Sequence, residues 1–372
     1  MIAFACPVCA HLVTFETVCC LNCSSELGYD PQARAMRLLE PAGAKRRCVN
    51  QALAACNWLA AGDQGLCLSC ALTRTRPNDS DGHGLGGFAA AERAKRRLLF
   101  ELFDIGLPVE SWREREGGLA FDLLSSEHEA VPTGHADGVI TLDLAETDPA
   151  HRERLRVELE EPYRTVLGHF RHEIGHYYQP ILLPEGSPLW RECRELFGDE
   201  RTDYTAAKDR YYETGPGPGW ERDHVSAYAT THPWEDWAET FAHFLHMRDT
   251  LQTAASWGVR VEGPSVATAD LAPLESEPRA AGGDVGEMLG AWIPLTYALN
   301  AINRSMGALD LYPFVLGPAV ERKLEFIGGL AAAAAARRHA PRSGLELDPS
   351  RPRLADGRER QLEQTAGPPG PG

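Results

Sequence analysis

The chain has 372 residues, 43% of them apolar, and its 37 Lys and Arg face 53 Asp and Glu for a formal net charge of −16. That length suits two folded domains, and no run of about 20 apolar residues exists to cross a bilayer. A chain this acidic gains little from displacing counterions on nucleic acid, which argues against a DNA- or RNA-binding role.

Nine of the ten cysteines fall between residues 6 and 70. Cys6-Pro7-Val8-Cys9 and Cys20-Leu21-Asn22-Cys23 are two Cys-x-x-Cys knuckles. Each knuckle presents two thiolates to one metal, and the pair completes a tetrahedral four-cysteine site of the zinc-ribbon kind. Cys19 is left over and competes with Cys20 for its place. A second set follows: Cys48, Cys56 and the knuckle Cys67-Leu68-Ser69-Cys70. It reads as a second four-cysteine site, although spacing does not fix the pairing between the sets. Disulfides would need an oxidising compartment. The opening Met1-Ile2-Ala3-Phe4-Ala5 lacks the basic start of a signal peptide. Residues 1–76 are therefore expected to be a ribbon region with two structural Zn²⁺ in a cytoplasmic protein. Residues 1–80 carry seven Lys and Arg and six Asp and Glu, so this part is close to neutral. It suits a structural or protein-docking ribbon, and Lys45-Arg46-Arg47 reads as a solvated turn.

Pro77 to Gly87 has the composition of a flexible linker. Phe88 to Ile105 is predicted to be an amphipathic helix with Leu98, Leu99, Leu102 and Phe103 inward, stopped by Gly106 and Pro108. Short strands are predicted at Leu119–Leu124 and Val139–Leu144; the second alternates in the half-buried manner.

Next comes His172-Glu173-Ile174-Gly175-His176, a His-Glu-x-x-His motif. On a helix, positions i and i+4 lie one above the other, so both imidazoles can grip one Zn²⁺. Glu173 projects to the side, where it can take a proton from a metal-bound water whose pKa the ion has lowered to about 7. The helix is predicted from Glu161 to Gln179, with Pro162 at its first position and Pro180 as its stop. Val166, Leu167, Phe170, Ile174 and Tyr177 would form its buried stripe.

Leu189 to Tyr212 is rich in helical pattern and holds the lone Cys193 together with Asp199, Glu200, Arg201, Asp203 and Tyr204. Those polar residues are either a solvated ion-pair face or a brace for the site. A further helix is predicted from Pro233 to about Thr253. Its Glu235 and Glu239 share a face, which His243 extends. Acidic residues suit the first turn of any helix through its dipole, so alone they would mean little. Glu262 to Gly286 has little regular pattern. Helix returns over Gly290–Asn303 and Val315–Ile327, and residues 331–372 read as a disordered tail.

Three stretches, Phe170-Arg171-His172-Glu173-Ile174-Gly175-His176-Tyr177-Tyr178, Phe197-Gly198-Asp199-Glu200-Arg201 and His232-Pro233-Trp234-Glu235-Asp236-Trp237-Ala238-Glu239-Thr240, resemble a bacterial family of zinc-binding metallopeptidases. So do Leu295–Asn300 and Asn303–Gly307, and the likeness runs from Cys6 to about Gly328. The resemblance implies an α+β chain: a zinc-ribbon region, then a mostly helical, zincin-like domain with a small sheet over residues 88–330. It implies a peptide or protein substrate, one catalytic Zn²⁺, and Glu173 as general base. In glutamate-type zincins a Glu on the second helix is the third ligand, and the acidic residue four later supports a ligating His. Glu235 fits the ligand and Glu239 the support; the reverse assignment stays open. An edge strand beside the cleft pairs with substrate in such enzymes, and Val139–Leu144 is the candidate. Tyr228, His224 and His232 are candidate oxyanion donors. The competing reading is a non-catalytic zinc-binding protein whose ribbon docks a protein or nucleic-acid partner.

Overall fold

The computed structural model describes residues 2–40, 46–61, 65–127, 129–158, 161, 163–263, 274–278 and 284–339. In the cysteine-rich part, β1 (Phe4–Ala5) pairs with β2 (Leu12–Val13), and β3 (Leu27–Asp30) pairs with β4 (Ala35–Leu38), both antiparallel. Two one-turn helices follow, α1 (Gln51–Ala54) and α2 (Leu68–Ala71). β5 (Thr73–Thr75) leaves the last knuckle at once and runs parallel to β6 (Ala120–Leu124). The ribbon region thus contributes a strand to the sheet of the body.

The expected 77–87 linker is corrected. α3 (Gly82–Ile105) begins inside it, because the Asp81 side chain accepts from the Gly84 N–H and caps the helix. Gly106 ends α3 in the left-handed conformation, as expected of a C-terminal glycine. Phe100 of α3 packs edge-on against Phe15, 5.1 Å between centroids, and against Tyr29 at 5.9 Å. Arg96, buried on the same helix, donates to the carbonyls of Ala54 and Ala55, each at 3.1 Å. Buried Glu92 receives Lys95 Nζ at 2.6 Å and stands 3.8 Å from Cys70 Sγ. The ribbon region is therefore built onto α3.

The sheet order is β5-β6-β8-β7, with β7 (Gly134–Ala136) and β8 (Val139–Asp143) forming a hairpin. Its two-residue turn, Asp137-Gly138, has φ of 48° and 85°, the positive pair that a type I′ turn demands. A Cβ on Gly138 would stand 2.4 Å from the Gly117 carbonyl oxygen, so only glycine fits there. β8 lies between β6 and β7. The expectation that Val139–Leu144 is the exposed edge is thus corrected: the edge on that side is β7.

After α4 (Pro149–Glu158) comes the motif helix, α5 (Val166–Leu182). It starts later than expected, because the Thr165 hydroxyl accepts from the Gly168 N–H at 2.9 Å and caps it; Pro162 lies outside the described residues. Pro180 sits inside the last turn instead of stopping the helix. α6 (Leu189–Phe197) and α7 (Tyr204–Thr214) follow, with Cys193 buried in the core. α8 (Pro233–Ser256) opens with Pro233 in its first turn and His232 as its cap. β9 (Val261–Gly263) and β10 (Leu274–Ser276) pair, and α9 (Val285–Ser305) and α10 (Pro318–His339) close the body. The expected tail is also corrected at its start. Residues 331–339 continue α10, where Ala331 and Ala334 are buried and Arg338 donates to the Leu107 carbonyl at 3.0 Å. The rest of that tail, 340–372, lies outside the described residues. Among the described residues no helix is long and apolar enough to cross a membrane.

The contact that places the site is α5 on α8. Tyr178 of α5 stacks on Phe241 of α8, 5.7 Å between centroids, and Phe170, Ile174 and Trp237 are fully buried along with them; burying each such side chain stabilises by roughly 1.5–3 kcal/mol. Gly175 sets the spacing. A Cβ there would lie 3.0 Å from Ala238 Cα and 3.1 Å from Phe241 Cβ. The Trp237 indole N–H donates to the Gly175 carbonyl at 2.9 Å, fixing the register. Gly175→Val overpacks this seam and should destabilise the protein by about 1–3 kcal/mol, read as a lower unfolding midpoint; an unchanged midpoint would mean the helices have slack.

Candidate metal centre

One turn of α5 brings His172 Nε2 and His176 Nε2 to 3.2 Å from each other. The first turn of α8 adds Glu235, whose Oε2 stands 2.9 Å from His172 Nε2 and 3.5 Å from His176 Nε2. With zinc–nitrogen bonds of about 2.0–2.1 Å and tetrahedral angles, neighbouring donors stand about 3.3 Å apart. The triangle of His172, His176 and Glu235 has edges of that size and suits such an ion. Electrostatics agree. Burial opposes a charged His172, yet hydrogen bonds to Glu235 and Glu239 outweigh it and hold its pKa well above the ordinary histidine range. Burial likewise opposes a charged Glu235, and contacts with His172 and His176 overcome this and hold its carboxyl far below the usual range. The pocket favours positive charge at this point.

Glu239 stands behind the first imidazole. Its Oε1 accepts from His172 Nδ1–H at 2.7 Å and its Oε2 accepts from the Ser226 hydroxyl at 2.6 Å. A proton held on Nδ1 leaves the Nε2 lone pair facing His176 and Glu235. The other Glu235 oxygen accepts from the Tyr204 hydroxyl at 2.9 Å. Glu173 is buried beside these groups, and burial raises its pKa above the ordinary carboxylate value. His243 is not one of the converging donors; its Nδ1 lies 2.7 Å from the Tyr312 hydroxyl.

The three expected oxyanion donors separate. Tyr228 lies at the centre, its ring 5.9 Å from that of His172. His232 is almost fully buried, with Nδ1 accepting from the Trp234 N–H and Nε2 3.1 Å from the Thr202 hydroxyl. His224 faces Asp236 at 3.7 Å instead. Arg171 had no sequence signal as a brace. It is buried, donates to Glu101 of α3 at 3.1 Å and to Asp249 of α8 at 2.9 Å, and so ties three helices together one residue before His172. Removing one partner of such a buried group strands a charge and costs about 3–5 kcal/mol.

The cysteines gather in sequence order: Cys6, Cys9, Cys20 and Cys23 in one tetrad, and Cys48, Cys56, Cys67 and Cys70 in the other. Cys19 is exposed and outside both. Sulfur pairs stand 3.7 Å (Cys6–Cys23), 3.6 Å (Cys9–Cys20) and 3.5 Å (Cys56–Cys67) apart, near the edge of about 3.8 Å that zinc–sulfur bonds of about 2.3 Å give. Left-handed Ala10 and Ser24, at φ 58° and 56°, turn the chain just after each knuckle of the first tetrad.

Two families match the chain in tandem. A zinc-ribbon domain matches residues 3–81, and a family described as "Putative zinc-binding metallo-peptidase" matches residues 85–330. An uncharacterized protein of Mycobacterium bovis and one of Mycobacterium tuberculosis are each 50% identical to the chain over 327 residues, 87% of this chain and 93% of theirs. Their names assign no activity. No solved structure matches. With that identity across most of its length and a family match over residues 85–330, the chain belongs to the zinc-binding metallo-peptidase family and carries a zinc ribbon at the N-terminal end.

Proposed function

We propose that the protein is a zinc-dependent peptidase of the zincin type. The observation that carries this reading is the triangle of His172 Nε2, His176 Nε2 and Glu235 Oε2 beside buried Glu173. His172, His176 and Glu235 would hold a catalytic Zn²⁺, with Glu239 orienting His172. When bound, such an ion polarises a carbonyl and lowers the pKa of a coordinated water to about 7. Glu173 is the general base. Its raised pKa suits a group that takes a proton from water and then gives it to the leaving amine. The Tyr228 hydroxyl is the donor for the developing oxyanion. Substrate backbone pairs with the β7 edge, Gly134–Ala136, which packs on α5; the His135 ring lies 6.1 Å from Tyr177 of that helix.

Two further Zn²⁺ would sit in the cysteine tetrads and stabilise the ribbon region. We read the first tetrad as a protein-docking point, because the knuckle residues Val8 (56% exposed) and Leu21 (95% exposed) turn apolar side chains to solvent. That feature also favours the second reading, a non-catalytic binding protein. Thiols grouped for metal are in keeping with a cytoplasmic location.

Glu173→Gln keeps the shape of the side chain and removes the base. It should retain zinc while kcat on a peptide mixture falls roughly a hundredfold or more; wild-type rates in this variant would refute the general-base role. Metal analysis separates the sites. Wild type should carry about three zinc per chain and His172→Ala about two, by the ligand sets each ion needs. A loss of all metal from His172→Ala would instead make the three sites one cooperative unit.

A further inference from the structure

Aromatic rings form a track that starts at the metal donors and runs outward along α7. Tyr204 and Tyr211 are seven residues apart on that helix, two turns, and so share a face. Tyr204 reaches Glu235 with its hydroxyl, and its ring lies 5.8 Å from Trp234. Tyr228, 5.9 Å from the His172 ring, is 5.9 Å from Tyr211, and Tyr211 is 5.6 Å from Tyr212. The outer rings are open to solvent, Tyr212 at 59% and Trp234 at 40%. The continuous run His172–Tyr228–Tyr211–Tyr212, closed onto an imidazole at one end and exposed at the other, offers stacking area next to the reacting groups.

Charge narrows what the track can take. Glu173, Glu235 and Glu239 border its inner end and repel an acidic side chain. Lys208 Nζ already stands 6.0 Å over the Tyr204 ring and occupies the cation position on that face. We propose that Tyr211, Tyr212 and Tyr228 form the side-chain subsite of the substrate and select an aromatic or large aliphatic residue next to the scissile bond. This rests on reading the His172–His176–Glu235 centre as a peptidase site.

Three hydroxamates probe it on the zinc-loaded full chain: those of N-acetyl-phenylalanine, N-acetyl-alanine and N-acetyl-lysine. The hydroxamate chelates zinc, so the side chain is presented beside the centre without any need for turnover. The phenylalanine compound should bind about tenfold or more tighter than the alanine compound, the worth of burying one ring. Tyr212→Ala should bring that ratio within about threefold, and Tyr212→Phe should keep it, since the ring and not the hydroxyl makes the contact. Tyr212 is exposed, so its truncation leaves the core intact. Equal affinity for the phenylalanine and alanine compounds, tightest binding of the lysine compound, or a ratio unmoved by Tyr212→Ala would overturn the subsite. Matched peptides are assayed in parallel. Cleavage without ring selectivity removes the subsite and leaves the peptidase reading. Ring selectivity without cleavage of any peptide does the opposite.

Discussion

Everything at the centre depends on how closely α5 and α8 approach. The imidazoles come from one helix and the carboxylate from the other, so the triangle exists only if the two backbones are held at a short, fixed separation. Gly175 permits that separation and the Trp237–Gly175 hydrogen bond sets its register. The glycine is one of the two unspecified positions of the motif. Here it has a job of its own, because a side chain at that point would push Glu235 away from His172 and His176.

Two buried polar networks extend the same constraint outward. Arg171 fastens α5 to α3 and α8 beside the first imidazole, and Glu239, held by Ser226, fixes the orientation of that imidazole. Further back along α3, Glu92 stands beside the Cys70 thiol and Arg96 holds the Ala54 and Ala55 carbonyls just before Cys56. α3 is thus a shared beam: the ribbon packs along it through Phe100 while the neighbouring Glu101 holds Arg171 of the motif helix. A buried ionic group adds little net stability compared with an apolar substitute. Its value lies in permitting only one arrangement, which a metal centre assembled from separate helices requires.

Much of the site was legible because its residues are close in sequence or obey a short period. His172, Glu173 and His176 follow from helical spacing alone, and Cys6 to Cys23 from paired knuckles. Glu235 over Glu239 was a choice between neighbours on one face, and spacing could not make it; the choice depends on which oxygen meets Nε2 and which meets Nδ1. Ser226 and Arg171 are brought in by tertiary packing and left no periodic trace; Tyr204 stood in the polar cluster that could be a brace or a solvated face, and only its hydrogen bond to Glu235 makes it a brace. In the fold, Asp137-Gly138 is a readable hairpin signal, but that β7 and not β8 is the edge depends on the long-range pairing of β8 with β6. The linker composition of 77–87 misled because a single Asp81 cap outweighs several glycines once α3 has a body to pack on. The alanine run after Gly329 looked like a tail, but alanine is the strongest helix former and its small side chain packs where Ala331 and Ala334 are buried.

The family assignment and the geometry meet at one claim: that two nitrogens and one carboxylate oxygen share a divalent ion with a coordination place left for water and substrate. Anomalous diffraction from crystals of the full chain, recorded on both sides of the zinc absorption edge, tests it directly. A zinc peak is expected within about 2.2 Å of His172 Nε2, His176 Nε2 and a Glu235 oxygen, with solvent completing the shell. A peak coordinated by Glu239 in place of Glu235, a fourth protein ligand closing the shell, or no zinc at the imidazole pair would contradict it.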